Sequence, residues 1–389
     1  MVLFKCLIEL GHWFYVNTRF GRWYFNRSLR QIAQSYPLGH SAPITLNYGV
    51  YHVRIVSYSR DNYGFIIWRD NSQRCLIIDP GYFPPFQEII ENQNLILDSV
   101  LITHKHFDHC GGILSIITLY PNVQIFANKK EKIRQVTTNI NNEIHSFTVC
   151  VEDYLDPIFI TAYHTPGHTI GHTVYTMEVT SDNLDENTSL LVFTGDAIFM
   201  GSIGANFECS TKVNMTSLRN LVNNLISLNI PANRIMIFPG HEYSIDGIQY
   251  VLCNFIPNSF YARCKLHWCY EQRNWRLPTI PMTLFDELNY SPYLRVAVSL
   301  NDIEDPRVLV YITSSKKMVN FYLPKLSNLI HEMLMSEKFV KKYFKTDCLN
   351  TEKETFREKL FDDLFNESNK VLLKCEHTPD DIILNSVLF

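Results

Sequence analysis

Four side chains able to bind a metal ion, His104, His106, Asp108 and His109, fall within six residues in the stretch Thr103-His104-Lys105-His106-Phe107-Asp108-His109. Imidazole and carboxylate donors together suit zinc, iron or manganese. In an extended loop His104 and His106 point the same way, because side chains alternate with a period of two. Both can then reach one ion. Asp108 and His109 sit where the chain turns and can face a second position. Three later stretches offer donors of the same types: His164-Thr165-Pro166-Gly167-His168-Thr169-Ile170-Gly171-His172, Gly195-Asp196, and Pro239-Gly240-His241-Glu242-Tyr243. By residue type alone, His164, His168 and His172 are equal candidates.

Each stretch follows a short apolar run, at 100–102, 158–163, 190–194 and 235–238. Continuous apolar runs of this length read as strands buried on both faces. Open α/β sheets place their sites on loops beyond the carboxyl ends of strands. Separate strands converging at one sheet edge are what a two-ion site needs. Further strands are predicted at 50–57, 64–68, 75–78 and 123–127, and helices at 88–92 and 216–228. The last of these is to bury Leu218, Leu221, Val222, Leu225 and Ile226 on one face.

At 389 residues the chain can bury a large core and form two domains. A net charge of −4 gives no electrostatic case for nucleic acid as a partner. The ten cysteines include no Cys-x-x-Cys pair, and a chain this long needs no disulfide staples, so reduced thiols in an intracellular protein are expected. The first 36 residues are dense in apolar and aromatic side chains, with Arg19, Arg22, Arg27 and Arg30 among Phe20, Trp23, Tyr24 and Phe25. The run is short for a membrane span and lacks a small-residue cleavage site. Aromatic and basic residues together suit a membrane–water interface, so residues 1–36 are a candidate peripheral membrane contact as well as a candidate packed helix.

His-x-His-x-Asp-His after a buried strand resembles the signature of the metallo-β-lactamase superfamily. The later motifs resemble its glyoxalase II (hydroxyacylglutathione hydrolase) group over about residues 47 to 300. That resemblance implies an α/β fold, a four-layer αββα sandwich with a helical C-terminal domain. It implies two divalent metal ions, zinc or iron. His104, His106 and His168 would hold one, Asp108, His109 and His241 the other, with Asp196 bridging. Asp108 and Asp196 would be the catalytic carboxylates. Asp79 would orient a ligand histidine, His172 would support its loop, and Tyr243 would contact substrate. Asp61-Asn62-Tyr63 is similar to the turn that opens such domains. The aromatic stretch 10–15 and the stretch 36–41 are similar to a membrane-associated member of the group, so membrane and mitochondrial locations join the intracellular expectation. The expected organisation is 1–45 as aromatic/basic segment and linker, 46–250 as the metallo-β-lactamase-like domain, 251–300 as a glyoxalase II-like helical region and 301–389 as a helical extension.

The implied reaction is hydrolysis of a glutathione thioester or related small thioester, a metal-bridging hydroxide attacking the carbonyl. A thiol of pKa roughly 8.5 departs without a general acid, whereas an amide leaving group needs protonation. The chain departs from the group where a lysine and a tyrosine hold glutathione: Ala205 and Phe207 stand there. Losing a charge-assisted hydrogen bond to the substrate costs about 1.5 to 3 kcal/mol. Two other readings remain open: a persulfide dioxygenase with one iron on His104, His168 and Asp196, and a weakly catalytic regulatory or scaffold protein.

Overall fold

The computed structural model describes residues 18–35, 39–152, 157–180, 188–255 and 259–299. The expectations for the apolar run over 1–17 and for helices in 301–389 fall outside the described residues. The chain enters through helix α1 (Arg19–Ser35), then runs through β1 (Ile44–Tyr48), β2 (Tyr51–Tyr58), β3 (Asn62–Arg69), β4 (Arg74–Ile78), α2 (Pro84–Asn92), β5 (Ile96–Leu101), α3 (Phe107–Cys110), α4 (Ile113–Leu119), β6 (Gln124–Asn128) and β7 (Thr138–Ile140). Among the described residues these strands form one sheet in the order β1 to β7. Its first four strands are an antiparallel meander, and β4 to β7 run parallel.

A second sheet follows: β8 (Ile144–Val149), β9 (Ile158–His164), β10 (Thr173–Val179), β11 (Ser189–Gly195), β12 (Ile235–Pro239) and β13 (Met282–Thr283), in the order β13-β12-β11-β10-β9-β8. Helix α5 (Thr211–Ser227) crosses from β11 to β12, which are parallel. Helices α6 (Ser244–Asn254), α7 (Phe260–Asn274), α8 (Leu284–Tyr290) and α9 (Pro292–Ser299) complete the described chain.

Three apolar clusters define the layers. Between the sheets, Ile55, Phe65, Ile67 and Leu101 meet Ile160, Tyr175, Leu191, Phe193 and Phe238. Phe65, Phe193 and Phe238 form a ring trio with centroids 5.0–5.4 Å apart. Outside the first sheet, Ile66, Ile77 and Val100 pack on Phe83 just before α2, on Phe86 of α2 and Ile113 of α4, and on Phe25 and Leu29 of α1. Outside the second, Val174, Leu190, Val192 and Ile237 pack on α5 to α9. Helices, sheet, sheet, helices: this is the four-layer αββα sandwich with helices at its carboxyl end.

Local chemistry explains the element boundaries. Helix α5 starts at Thr211, earlier than the apolar stripe indicates, because Ser210 accepts the Val213 N–H and caps it. Leu218, Leu221, Val222 and Leu225 are buried as expected, but Ile226 is 44% exposed. It lies at the edge of the stripe, where the helix surface already turns to water. Asn62 and Tyr63, expected in a turn, begin β3.

Gly39–Ala42 is clamped by residues more than 230 positions further along the chain. Arg273 donates to the His40 carbonyl at 2.9 Å and the Ser41 hydroxyl at 2.5 Å, Arg276 donates to the Gly39 carbonyl at 2.8 Å, and Ala42 N donates to Arg276 O at 2.7 Å. His40 Nε2 in turn meets Asn62 O at 2.9 Å.

Helix α8 carries a fully buried carboxyl group, Glu287, which accepts the Gly201 N–H at 3.1 Å and so ties the loop after β11 to the C-terminal helices. Burial pushes its pKa up to about 8, against the hydrogen bonds from Tyr290 and Gly201 that favour the anion. The unfolded chain releases this proton near the ordinary carboxyl pKa of ~4.3, while the folded chain keeps it to about 8. Between those values the unfolded state binds fewer protons, so this group's contribution to stability falls as pH rises. Glu287→Gln, which keeps the shape without the titration, should gain in denaturation midpoint relative to the parent as pH rises through that window. Parallel midpoints would show that Glu287 does not titrate there.

Candidate metal centre

The expected ligands gather where the two sheets meet at the strand ends. His104, His106, His168 and Asp196 form one group and Asp108, His109 and His241 another, with donor atoms in each within 4.8 Å. His104 and His106 lie beyond β5, His168 in the β9–β10 loop, Asp196 just after β11 and His241 just after β12. Asp196 faces both groups. Its Oδ2 is 3.3 Å from His168 Nε2, and its Oδ1 is 3.2 Å from His109 Nε2 and 3.4 Å from His241 Nε2. Asp108 Oδ2 stands 3.4 Å from His241 Nε2 and 3.6 Å from His109 Nε2. His164 is not brought in; at the end of β9 it pairs with Glu143 at 3.1 Å and meets the Ile170 carbonyl at 3.0 Å.

Backbone packing fixes these positions. Gly195 adopts a left-handed conformation with φ of +47°, and a Cβ there would lie 2.5 Å from Thr103 Oγ1. The chain therefore turns sharply into Asp196 while pressed on the first histidine loop. At Gly240 a Cβ would lie 2.7 Å from the His109 ring and 2.9 Å from Asp196 Oδ1, so only glycine leaves room between the two groups.

Partners behind the ligands aim them. Asp79 accepts the Thr103 N–H at 2.8 Å, the Thr103 hydroxyl at 2.6 Å and His109 Nδ1 at 2.9 Å, which directs His109 Nε2 into the centre. The same Thr103 hydroxyl is 3.0 Å from His104 Nδ1. His168 Nδ1 donates to the Ala205 carbonyl at 2.8 Å. His172 Nε2 accepts the Asp196 N–H at 3.2 Å, its Nδ1 meets Thr165 Oγ1 at 2.9 Å, and burial lowers its pKa to about 3, so it is neutral. Three residues beyond Asp79 and His172 share this work. Asp61 meets His241 Nδ1 at 3.1 Å, Asn62 donates to Asp108 Oδ2 at 3.0 Å, and Glu131 holds two of the loops together. The first two belong to the Asp61-Asn62-Tyr63 motif, which in sequence reads only as a turn; a lone glutamate between two lysines gave no signal.

The donor set fits divalent ions. His104 Nε2 is a buried nitrogen with no hydrogen-bond partner, aimed at the other imidazoles, an arrangement that is costly unless a cation is shared. Burial opposes protonation of His109 and His241, yet Asp196 and the other carboxylates hold the pKa of His109 well above its usual value and that of His241 up to about 10. Conversely, the surrounding imidazoles outweigh burial and hold Asp196 well below the carboxylate range. The carboxylates thus favour positive charge at His109 and His241, whereas burial holds His104 and His168 below the usual imidazole range, in the neutral form that binds a metal.

At the rim, Phe207 sets its ring edge-on to His168 at 5.1 Å and to His106 at 5.8 Å. Tyr243 stacks on His241 at 4.8 Å. Lys105 and Glu208 form an ion pair beside them.

A two-sheet sandwich with outer helices and a His/Asp cluster at its strand ends is the architecture of the metallo-β-lactamase superfamily, and residues 61–134 match the sequence model of that superfamily. Cytoplasmic hydroxyacylglutathione hydrolase of Arabidopsis thaliana is 30% identical over 247 residues, covering 64% of this chain and 88% of the relative. Hydroxyacylglutathione hydrolase of Shewanella denitrificans is 32% identical over 236 residues, covering 60% and 82%. A hydroxyacylglutathione hydrolase-like protein of Gallus gallus is 28% identical over 244 residues, covering 63% and 80%. The solved structure of ETHE1 from Myxococcus xanthus aligns with a TM-score of 0.39 at 15% identity, over 66% of this chain and 94% of that one. The chain belongs to the hydroxyacylglutathione hydrolase, or glyoxalase II, group of the superfamily.

Asp196→Asn removes the carboxylate charge that faces both groups while keeping its size. It should lose most bound metal and any metal-dependent activity together, read by elemental analysis after gel filtration. Full occupancy in the variant would remove Asp196 from the ligand set.

Proposed function

We propose that the protein is a metal-dependent thioester hydrolase of the hydroxyacylglutathione type, holding two divalent ions. The observation that carries this reading is Asp196, which directs one oxygen to each of two histidine groups. Ions bound there would supply Lewis acidity and lower the pKa of water to ~7. His104, His106 and His168 would hold one position and Asp108, His109 and His241 the other. Neutral His172 braces the Asp196 backbone without taking a proton from the centre. Phe207 packs its ring against both His106 and His168 at the rim. A thiolate, with a pKa near ~8.5, leaves without a proton donor, which suits a centre flanked by aromatic rings. The complete second group, Asp108, His109 and His241, favours this reading over a one-iron persulfide dioxygenase.

Substrate contact at the rim is altered from the glyoxalase II pattern. Ala205 lends its carbonyl to His168, so its side chain can change without breaking that bond. The zinc- or iron-loaded protein should release thiol from S-D-lactoylglutathione, and Ala205→Lys should lower the KM by roughly tenfold, about 1.4 kcal/mol on the scale of a charge-assisted hydrogen bond. An unchanged KM would remove the missing lysine as the cause of altered affinity. Oxygen uptake with glutathione persulfide and no thiol release would favour the dioxygenase instead.

A peripheral membrane contact is also proposed, on the observation that α1 has two unlike faces. Phe25 and Leu29 are buried, whereas Phe20 and Trp23 are 58% and 54% exposed, with Arg27 over the Trp23 ring at 5.6 Å. No helix among the described residues is long and apolar enough to cross a membrane. The protein should co-sediment with anionic vesicles, and Phe20→Ser with Trp23→Ser should weaken this several-fold. Equal sedimentation of parent and variant would rule out this face.

A further inference from the structure

His104 and His106 stand on one loop and His168 on another, from different sheets. Imidazoles from independent loops bind one ion well only if the loops keep a fixed spacing, since a supporting partner behind the ligands commonly changes affinity by ~10–100-fold. Glu131 reaches both loops and touches no ligand atom in the hydrogen bonds it makes. Its Oε2 accepts the N–H of Lys105, the residue between His104 and His106, at 2.7 Å. Its Oε1 accepts the hydroxyl of Thr169, next to His168, at 2.8 Å and the N–H of Gly171, next to His172, at 2.6 Å.

The residue is built into place. It ends a single 3₁₀ turn, Lys129–Glu131, that β6 delivers directly; Asn128 caps the turn by accepting the Lys130 N–H, and Lys132 closes it at φ 57°. Glu131 is 3% exposed. At Gly171 a Cβ would lie 2.7 Å from its Oε1 and 2.8 Å from its N, so the loop can approach only as glycine. A carboxylate offers acceptors alone, and the three groups facing it all donate. A buried carboxylate met by three donors is satisfied and rigid.

We propose that Glu131 is a positioning residue that sets the spacing between the His104/His106 loop and the His168 loop, and thereby the affinity and geometry of the ion those imidazoles hold with Asp196. The inference rests on reading the cluster as a metal centre. It does not depend on which substrate is turned over.

Glu131→Gln is nearly isosteric but puts an NH₂ against a backbone N–H on one loop or the other, whichever way the amide turns. Thr169→Val removes a single donor and is the milder companion variant. The full chain, stripped with a chelator, is titrated with Co²⁺ while its visible spectrum and thermal midpoint are followed. Expected for Glu131→Gln is ~10–100-fold weaker binding of one of two ions, with a changed spectrum for that ion and the other unaffected. Thr169→Val should shift the same ion in the same direction by less. The metal-free thermal midpoints should stay within a few degrees of the parent, which separates positioning from a merely structural role. Parent-like binding and spectra in both variants would overturn the proposal, as would equal weakening of both ions. Failure of the parent itself to bind cobalt would instead overturn the metal reading beneath it.

Discussion

A buried carboxylate that can only accept hydrogen bonds sits at the root of this structure. Asp79 takes up the Thr103 N–H, the Thr103 hydroxyl and His109 Nδ1. Ionised and unpaired at 2% exposure it would be strongly unfavourable; with three donors it is fixed. One residue thereby locks the end of β4 to the loop after β5, sets the His109 ring, and reaches His104 through the Thr103 hydroxyl. Asp79 itself lies at φ 50°, a conformation few residue types tolerate. The sharp turn it makes brings Gly81 so close to the Asp108 carbonyl that a Cβ would lie 1.9 Å from it.

The other ligands repeat the theme with different partners. Asp61 stands behind His241, the Ala205 carbonyl behind His168, and His172 behind Asp196. His241 and His168 each have one nitrogen committed to the protein and the other turned inward, whereas His172 spends both on the protein, one on Thr165 and one on the Asp196 backbone. This is how a set of separate strands, each held in register by its own backbone ladder, can present donors with a common focus. The apolar layers set the strands; the hydrogen bonds set the rings.

Much of this was legible in the sequence because ligand chemistry and strand burial leave local marks. His104 to His109 are close in the chain, and each later donor follows a continuous apolar run. The strands followed from those runs, and the αββα layering from the family resemblance. Less legible were contacts made across the chain. Asp61 and His241 are 180 residues apart, and Glu131 is 40 residues from Gly171. A single acidic residue carries no periodicity and no spacing. The choice among His164, His168 and His172 was likewise beyond residue type; it turns on the strand end, where His164 is claimed by Glu143 and the Ile170 carbonyl. Ile226 was misjudged because an apolar residue at the border of a helical stripe has the right period but the wrong angle.

The clamp on Gly39–Ala42 gives the two ends of the described chain a shared task. Arg273 and Arg276 grip the carbonyls of Gly39 and His40. His40 rests on Asn62 O, and the Asn62 side chain lies between Asp108 and His241. Glu242, beside His241, accepts from Tyr63 and from Thr279. The route to the second ligand group is thus two hydrogen bonds long from His40 and three from Arg273. Mechanically, the Gly39–Ala42 segment and α7 are the two handles of one lever, and the fulcrum is the strand end that carries Asn62.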